Sequence, residues 1–316
     1  MTATLLFLLF GLVLLYFGAE GLVRGSASLA LRLGVGPLLV GLTVVAFGTS
    51  APEMMVSVKA AYLGQGDISV GNVVGSNICN IGLILGFCAL LVPIQVASQI
   101  VRIDTPIMIA TTALAIALLY DGSLSRIEGV IFFLLLVAYV IFSIRLAKKQ
   151  AADPLAQEFS EEVSIFKRGV AVDAGMVLGG LVMLVFGARF LVDAAIEIAK
   201  AFGLSEAVIG LTIVAVGTSL PEFATSLLAA IKKESDIAVG NIVGSNIFNI
   251  LGILGVSAMI TPLSSSGITG VDLAVMAAFA LGLWVFSATG HRISRTEGLL
   301  MLVPYAGYVV WLVARA

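Results

Sequence analysis

The sequence repeats itself without a gap, and that repetition limits the folds open to it more than any other feature. Gly41-Leu-Thr-Val-Val-Ala-Phe-Gly-Thr-Ser-Ala-Pro-Glu53 returns as Gly210-Leu-Thr-Ile-Val-Ala-Val-Gly-Thr-Ser-Leu-Pro-Glu222. Asp67-Ile-Ser-Val-Gly-Asn-Val-Val-Gly-Ser-Asn-Ile-Cys-Asn80 returns as Asp236-Ile-Ala-Val-Gly-Asn-Ile-Val-Gly-Ser-Asn-Ile-Phe-Asn249. Glu53 to Glu222 and Asn80 to Asn249 are both steps of 169 positions, and Pro93 to Pro262 keeps the same register. The chain is a tandem duplication of one unit.

The unit is apolar. Of the 316 residues 60% are hydrophobic and 11% charged, against about 25% charged in an ordinary soluble chain. Its apolar runs reach the roughly 20 residues that a helix needs to cross a bilayer. They predict helices over 3–24, 36–63, 68–93, 103–120 and 126–146, then 169–190, 205–231, 237–262, 271–289 and 296–314. The expected fold is all-α integral membrane, with ten transmembrane helices. Five helices per copy is an odd number, so the second copy enters from the opposite side and the two form inverted repeats. The units are 1–146 and 168–316. Between them 147–167, with Lys148, Lys149, Asp153, Glu158, Glu161 and Glu162, reads as a polar linker. Asp67, Asp104, Asp236 and Asp272 fall where helices start and read as N-caps, not as ion ligands. With the N-terminus outside, twelve of the 17 Lys and Arg face inward. That bias predicts N-out and C-out with a cytoplasmic linker, and the compact form suggests a multi-pass protein of a prokaryotic plasma membrane.

Several function classes are disfavoured. A net charge of −2 offers nothing to nucleic acid. Cys79 and Cys88 lack metal-ligand spacing and read as small buried residues, and His291 is the single histidine. The apolar opening has no basic start or cleavage site, so it reads as the first span and not as a signal peptide. No cofactor is expected. The lipid bilayer is the one extended partner, which leaves room for a monomer.

What remains is chemistry inside the membrane. A carboxylate in mid-helix costs about 2.5–3.5 kcal/mol even on a lenient scale. Glu53 and Glu222 are two such groups, without a Lys or Arg at matching depth. Pro52 and Pro221 precede them and cannot donate to the carbonyls of Gly48 and Gly217, so the helices should kink there. Freed carbonyls and the hydroxyls of Thr49, Ser50, Thr218 and Ser219 then make an oxygen-rich shell. The second motif adds Ser76 and Asn80, four apart on one helix face, mirrored by Ser245 and Asn249. Asn77 and Asn246 could equally be interhelical glue. The donors are all oxygens, which suits hard cations such as Ca²⁺ and Na⁺. An enzyme that used the glutamates as acid and base would need a nucleophile or metal set, and neither is evident. A channel is disfavoured by inverted repeats with broken helices.

The doubled Gly-Thr-Ser-x-Pro-Glu and Gly-Asn-x-x-Gly-Ser-Asn-Ile motifs resemble the alpha-repeats of the sodium/calcium exchanger family, and the resemblance covers the whole chain. It implies an antiporter exchanging Na⁺ for Ca²⁺ by alternating access, with the first and sixth helices sliding across a core of four site helices. By position its ion ligands would be Ala46, Thr49, Ser50, Glu53, Ser76 and Asn80, with Ala215, Thr218, Ser219, Glu222, Ser245 and Asn249. The alanines would act through their carbonyls. Some members carry Asp where this chain has Asn249, and Asn in both repeats argues against potassium co-transport. A proton/calcium antiporter of the same superfamily is the alternative.

Overall fold

The structure, a computed structural model, describes residues 2–32, 34–151, 169–201 and 215–315. Nearly all of them are helical, as they must be where no water can pair a backbone N–H or C=O. In the first copy α1 is Thr2–Arg32, α2 Pro37–Thr49, α3 Ala51–Tyr62, α4 Gly66–Leu91, α5 Ile100–Asp121 and α6 Arg126–Ala151. In the second α7 is Val170–Ala201, α8 Ala215–Thr218, α9 Leu220–Ile231, α10 Ser235–Ile260, α11 Gly270–Ala288 and α12 Arg295–Arg315.

Among the described residues eight unbroken helices are long and apolar enough to cross a membrane: α1, α4, α5, α6, α7, α10, α11 and α12. The pair α2 and α3 makes a further span, bent by 48°. The helix expected over 205–231 shows its later part as α8 and α9, while 202–214 lie outside the described residues. The chain is a multi-pass, all-helical membrane protein. The linker expected over 147–167 begins later than its composition suggests, because α6 continues to Ala151; residues 152–168 lie outside the described set.

Burial sorts the helices into a core and a coat. The helices α4 and α10 are buried almost all round, whereas α1, α6, α7 and α12 leave large apolar side chains such as Leu6, Leu134, Leu178 and Val303 on the outside. Small residues at the inner helices permit that close packing, which in a bilayer has to rest on van der Waals fit and interhelical hydrogen bonds.

The two copies meet crosswise. At α1 and α7 a Cβ on Gly18 would stand 2.9 Å from the carbonyl oxygen of Gly180, and one on Gly11 would stand 2.9 Å from that of Gly187. Rising numbers on one helix meet falling numbers on the other, so the copies run antiparallel. By the 169-residue register Gly180 is the copy of Gly11, and Gly187 the copy of Gly18. The short strands obey the same rule. β1 (Ile94–Gln95) pairs antiparallel with β4 (Arg292–Ile293), and β2 (Ser123–Leu124) with β3 (Leu263–Ser264). Because β3 is the copy of β1 and β4 the copy of β2, each strand pairs with the copy of its own neighbour.

The α1–α7 pair is tied together by charge as well. Asp173 on α7 is buried and accepts from Ser28 Oγ and Arg32 Nε of α1, both at 2.7 Å. Glu20 on α1 pairs with Arg24 one turn on and with Lys232 just past the end of α9.

The aspartates expected as N-caps do other work. Gln65 and Glu234 occupy the cap positions of α4 and α10, and Asp67 and Asp236 fall in the first turns. Asp67 accepts instead from the Gly267 N–H at 2.8 Å, tying α4 to the turn after β3. Asp104 is buried inside α5 and takes bonds from Gln99 Nε2 at 3.0 Å and Tyr139 Oη at 3.3 Å. Asp272 is the third helical residue of a capping box whose cap is Thr269. A carboxylate near a helix start stabilises that end wherever it sits in the first turn, which is why spacing alone mistakes one position for the other.

Candidate cation site

The site forms where the two bent segments cross α4 and α10. Ser50 terminates α2 with φ −79° and ψ 8°, and Ser219 repeats that geometry with φ −87° and ψ 10°. Pro52 and Pro221 each sit in the first turn of the next helix, where a missing N–H costs nothing. The expected kinks are therefore full helix breaks. Glu53 and Glu222 fall in the first turns of α3 and α9, where the positive end of a helix dipole favours a carboxylate. Both are buried, 1% exposed.

The carboxylates are held across the repeats and not within them. Ser50 Oγ donates to Glu222 Oε1 at 2.8 Å, and Ser219 Oγ donates to Glu53 Oε1 at 2.9 Å. Oε2 of each glutamate is buried and accepts no hydrogen bond from the described residues. Thr49 Oγ1 donates to Asn241 Oδ1 at 3.1 Å. The carbonyl of Ala46 accepts the Ser50 N–H at 3.1 Å. Ala215 and Thr218 stand at the two ends of α8, which leads into the second break.

The helices α4 and α10 supply amides. A wide turn replaces α-helical winding over Asn80–Leu85 and again over Asn249–Leu254, 169 residues on. Turns of this kind often mark functional positions, and here each opens on an expected site asparagine. Asn80 Nδ2 donates to Asn246 Oδ1 at 3.1 Å, and Asn249 Nδ2 to Asn77 Oδ1 at 3.0 Å. Oδ1 of both Asn80 and Asn249 is buried and has no hydrogen-bond partner among the described residues, and neither has Ser245 Oγ. Ser76 is buried on α4.

Asn72 and Asn241 were not among the expected site residues. Asn72 Nδ2 bridges Ser57 Oγ at 2.9 Å and the Glu53 carbonyl at 3.2 Å, and Asn241 Nδ2 bridges Ser226 Oγ at 2.9 Å and the Glu222 carbonyl at 3.5 Å. They brace the backbone beneath each carboxylate. The signal was present, since both lie in the repeated Gly-Asn dipeptide and each serine follows its glutamate by one helical turn.

Two cavities flank the site, and they are copies of one another with different linings. One, of about 620 Å³, lies between α4 and α12 and reaches Asn72 and Ser76 past Gly75 and Cys79. Its counterpart, of about 600 Å³, lies between α10 and α6. There Phe248 takes the place of Cys79 and stacks edge-on with Phe47, centroids 5.0 Å apart. That second cavity is lined by neither Asn241 nor Ser245. Cys79 and Cys88 are buried free thiols, as expected.

No three of His, Cys, Asp and Glu come together among the described residues, so any cation here must rely on two carboxylates and neutral oxygens. Such a donor set suits a hard cation. Two inverted halves around a pair of buried carboxylates are the architecture of a secondary transporter.

Comparison with known proteins agrees with that class. The family described as "Sodium/calcium exchanger protein" matches residues 3–145 and again 172–314, two spans in the same 169-residue register. The putative antiporter CaxA of Alkalimonas amylolytica is 43% identical over 313 residues, covering 98% of both chains. The sodium/calcium exchanger MaX1 of Methanosarcina acetivorans is 35% identical, again over 98% of each. A solved structure of the sodium-calcium exchanger NCX_Mj, soaked with Na⁺ and Ca²⁺, superposes with a TM-score of 0.84 at 33% identity, covering 98% of both chains. The chain belongs to the sodium/calcium exchanger protein family and is a cation/calcium antiporter.

Proposed function

We propose that this antiporter is driven by Na⁺: Na⁺ and Ca²⁺ compete for one site at the membrane midplane, built on Glu53 and Glu222. Asn80, Asn249, Ser76, Ser245, Thr49, Thr218, Ser50 and Ser219 complete it, with the carbonyls of Ala46 and Ala215. The observation that carries the reading is the crossed serine–glutamate pairing. It fixes one oxygen of each carboxylate and leaves the other buried without a partner, beside two amide oxygens in the same condition. Buried acceptors of that kind are expensive unless something positive satisfies them. One Ca²⁺ balances two carboxylates, and so do monovalent ions in larger number. The two species exclude each other, which makes the cycle an exchange.

Access alternates as the glycine-clasped α1–α7 pair slides across the core. One copy of the chain carries a complete site. The protein lies in the plasma membrane with both termini outside and the 147–167 linker in the cytoplasm.

The test is ⁴⁵Ca²⁺ uptake by proteoliposomes loaded with Na⁺, beside matched vesicles carrying only a pH gradient. Uptake that requires internal Na⁺ is the expected result. Uptake driven by the pH gradient alone would replace Na⁺ with H⁺ as the coupling ion.

A further inference from the structure

A carboxamide is an ambiguous ligand. Its oxygen attracts a cation and its NH₂ repels one, and the two ends have nearly the same shape. Asn80 and Asn249 help a cation only if something dictates which end faces it. The network around them contains an unambiguous starting point, because a backbone carbonyl can only accept. Asn246 Nδ2 lies 3.5 Å from the Asn77 carbonyl, and Asn77 Nδ2 lies 3.4 Å from the Asn246 carbonyl. Asn246 Nδ2 also faces the thioether of Met108 at 3.6 Å, a second acceptor. The nitrogens of Asn77 and Asn246 are thereby assigned, and their oxygens must point the other way. Those oxygens meet the NH₂ groups of Asn80 and Asn249 at 3.1 and 3.0 Å. The outer amides then have one orientation left, with Oδ1 free, buried and unpaired. All four residues are at most 2% exposed, so no water competes for these bonds.

We propose that Asn246 and Asn77 are positioning residues, each fixing the site carboxamide of the opposite repeat, Asn80 and Asn249, with its oxygen toward the cation. The inference rests on the reading above that Asn80 and Asn249 are ligands. It explains why the Ser-Asn-Ile-x-Asn pattern holds two asparagines three residues apart in each repeat. The second binds, and the first orients its counterpart across the molecule. An asparagine serving only as glue between α4 and α10 would have no reason to be matched to the orientation of its neighbour.

The experiment measures the Ca²⁺ KM and the maximal rate of exchange in proteoliposomes for Asn80→Leu, Asn80→Asp, Asn246→Leu and the double variant Asn246→Leu/Asn80→Asp. Protein incorporation is matched, at alkaline pH. Removing Asn246 frees the Asn80 amide to turn, so Asn246→Leu should raise KM by roughly tenfold, with a smaller change in maximal rate. A carboxylate has an oxygen at both ends and needs no orienting. The double variant should therefore return to within about threefold of Asn80→Asp alone, a near-complete loss of the Asn246 effect. A purely structural role for Asn246 predicts no such rescue. An unchanged KM in Asn246→Leu, or a double variant no better than Asn246→Leu, overturns the proposal. An unchanged KM in Asn80→Leu removes the ligand reading and this inference together, whereas a raised KM there with a silent Asn246→Leu removes this inference alone. The mirrored set, Asn77→Leu with and without Asn249→Asp, puts the same question to the other repeat if Asn246→Leu does not fold.

Discussion

The hydroxyl of Ser50 donates to Glu222 and not to Glu53, three residues along its own chain. Ser219 returns the arrangement to Glu53, so each carboxylate depends on a break in the other repeat. A hydrogen bond to a charged group is worth about 1.5–3 kcal/mol. Ser50→Ala and Ser219→Ala should each weaken Ca²⁺ binding by roughly one to two orders of magnitude, and by similar amounts. Isothermal titration of detergent-purified protein measures both, and a large effect from only one would contradict the crossed arrangement.

Glu53→Gln and Glu222→Gln keep side-chain shape while removing the charge that a divalent ion needs. Each variant should elute as a folded protein on size exclusion yet take up no ⁴⁵Ca²⁺ above background. Near-normal uptake by both would sink the proposed site.

Asn249→Asp adds a third group that exchanges a proton for a cation beside two glutamates. The apparent Ca²⁺ affinity should then fall more steeply with falling pH than it does in the unaltered protein. Matching pH profiles for the two proteins would place residue 249 outside the site.

The α1–α7 clasp allows no side chain. A Cβ on Gly180 would lie 2.7 Å from both the Gly18 carbonyl oxygen and the Leu22 nitrogen. Gly180→Ala should therefore cost about 1–3 kcal/mol and lower the unfolding temperature in detergent. Gly175, on the same helix with nothing within 4 Å of its Cβ position, is the control: Gly175→Ala should be neutral or slightly stabilising.

Among the described residues, the ion pair of Glu20 with Lys232 is a charged link between the α1–α7 pair and the core. The copy positions, 169 residues after Glu20 and 169 before Lys232, differ from it: Arg189 stands where Glu20 would, 3.9 Å from Asp193 on its own helix, and Leu63 occupies the place of Lys232. A double-mutant cycle of Glu20→Gln and Lys232→Met should give a coupling energy of about 1 kcal/mol, since both side chains are about four-fifths buried. The cycle read on exchange rate should differ between the two directions of transport, because the copy positions, Arg189 and Leu63, cannot form the same pair.

Much of this was legible in the sequence. The register carried the duplication, the expected odd helix count pointed to the inversion that the antiparallel α1–α7 contact shows, and Pro52 and Pro221 located the breaks that carry Glu53 and Glu222. Hidden were the partners. A repeat says which residues are equivalent, not which ones touch: Asn77 and Asn246 are equivalents that meet, but Ser50 meets Glu222 and Asn80 meets Asn246. Asp173 was hidden for the opposite reason. Its counterpart 169 residues earlier is Thr4, so the repeat gave no signal for a buried carboxylate that clamps Ser28 and Arg32. The helix-start aspartates were misread because a carboxylate suits several places in a first turn. The length of α1 also exceeded its apolar run, since Ser28 and Arg32 are paid for by Asp173 across the helix pair.

The crosswise rule has a consequence for how such a chain came to exist. Glycine meets glycine, strand meets strand and serine meets glutamate as i to j and again as j to i, which is the geometry of an isologous interface between two identical subunits. The chain has the symmetry of a homodimer whose protomers share one polypeptide. The duplication keeps the shared surface while outlying positions differ, so that Phe248 lines one cavity where Cys79 lines the other, and the two faces of the molecule are no longer interchangeable.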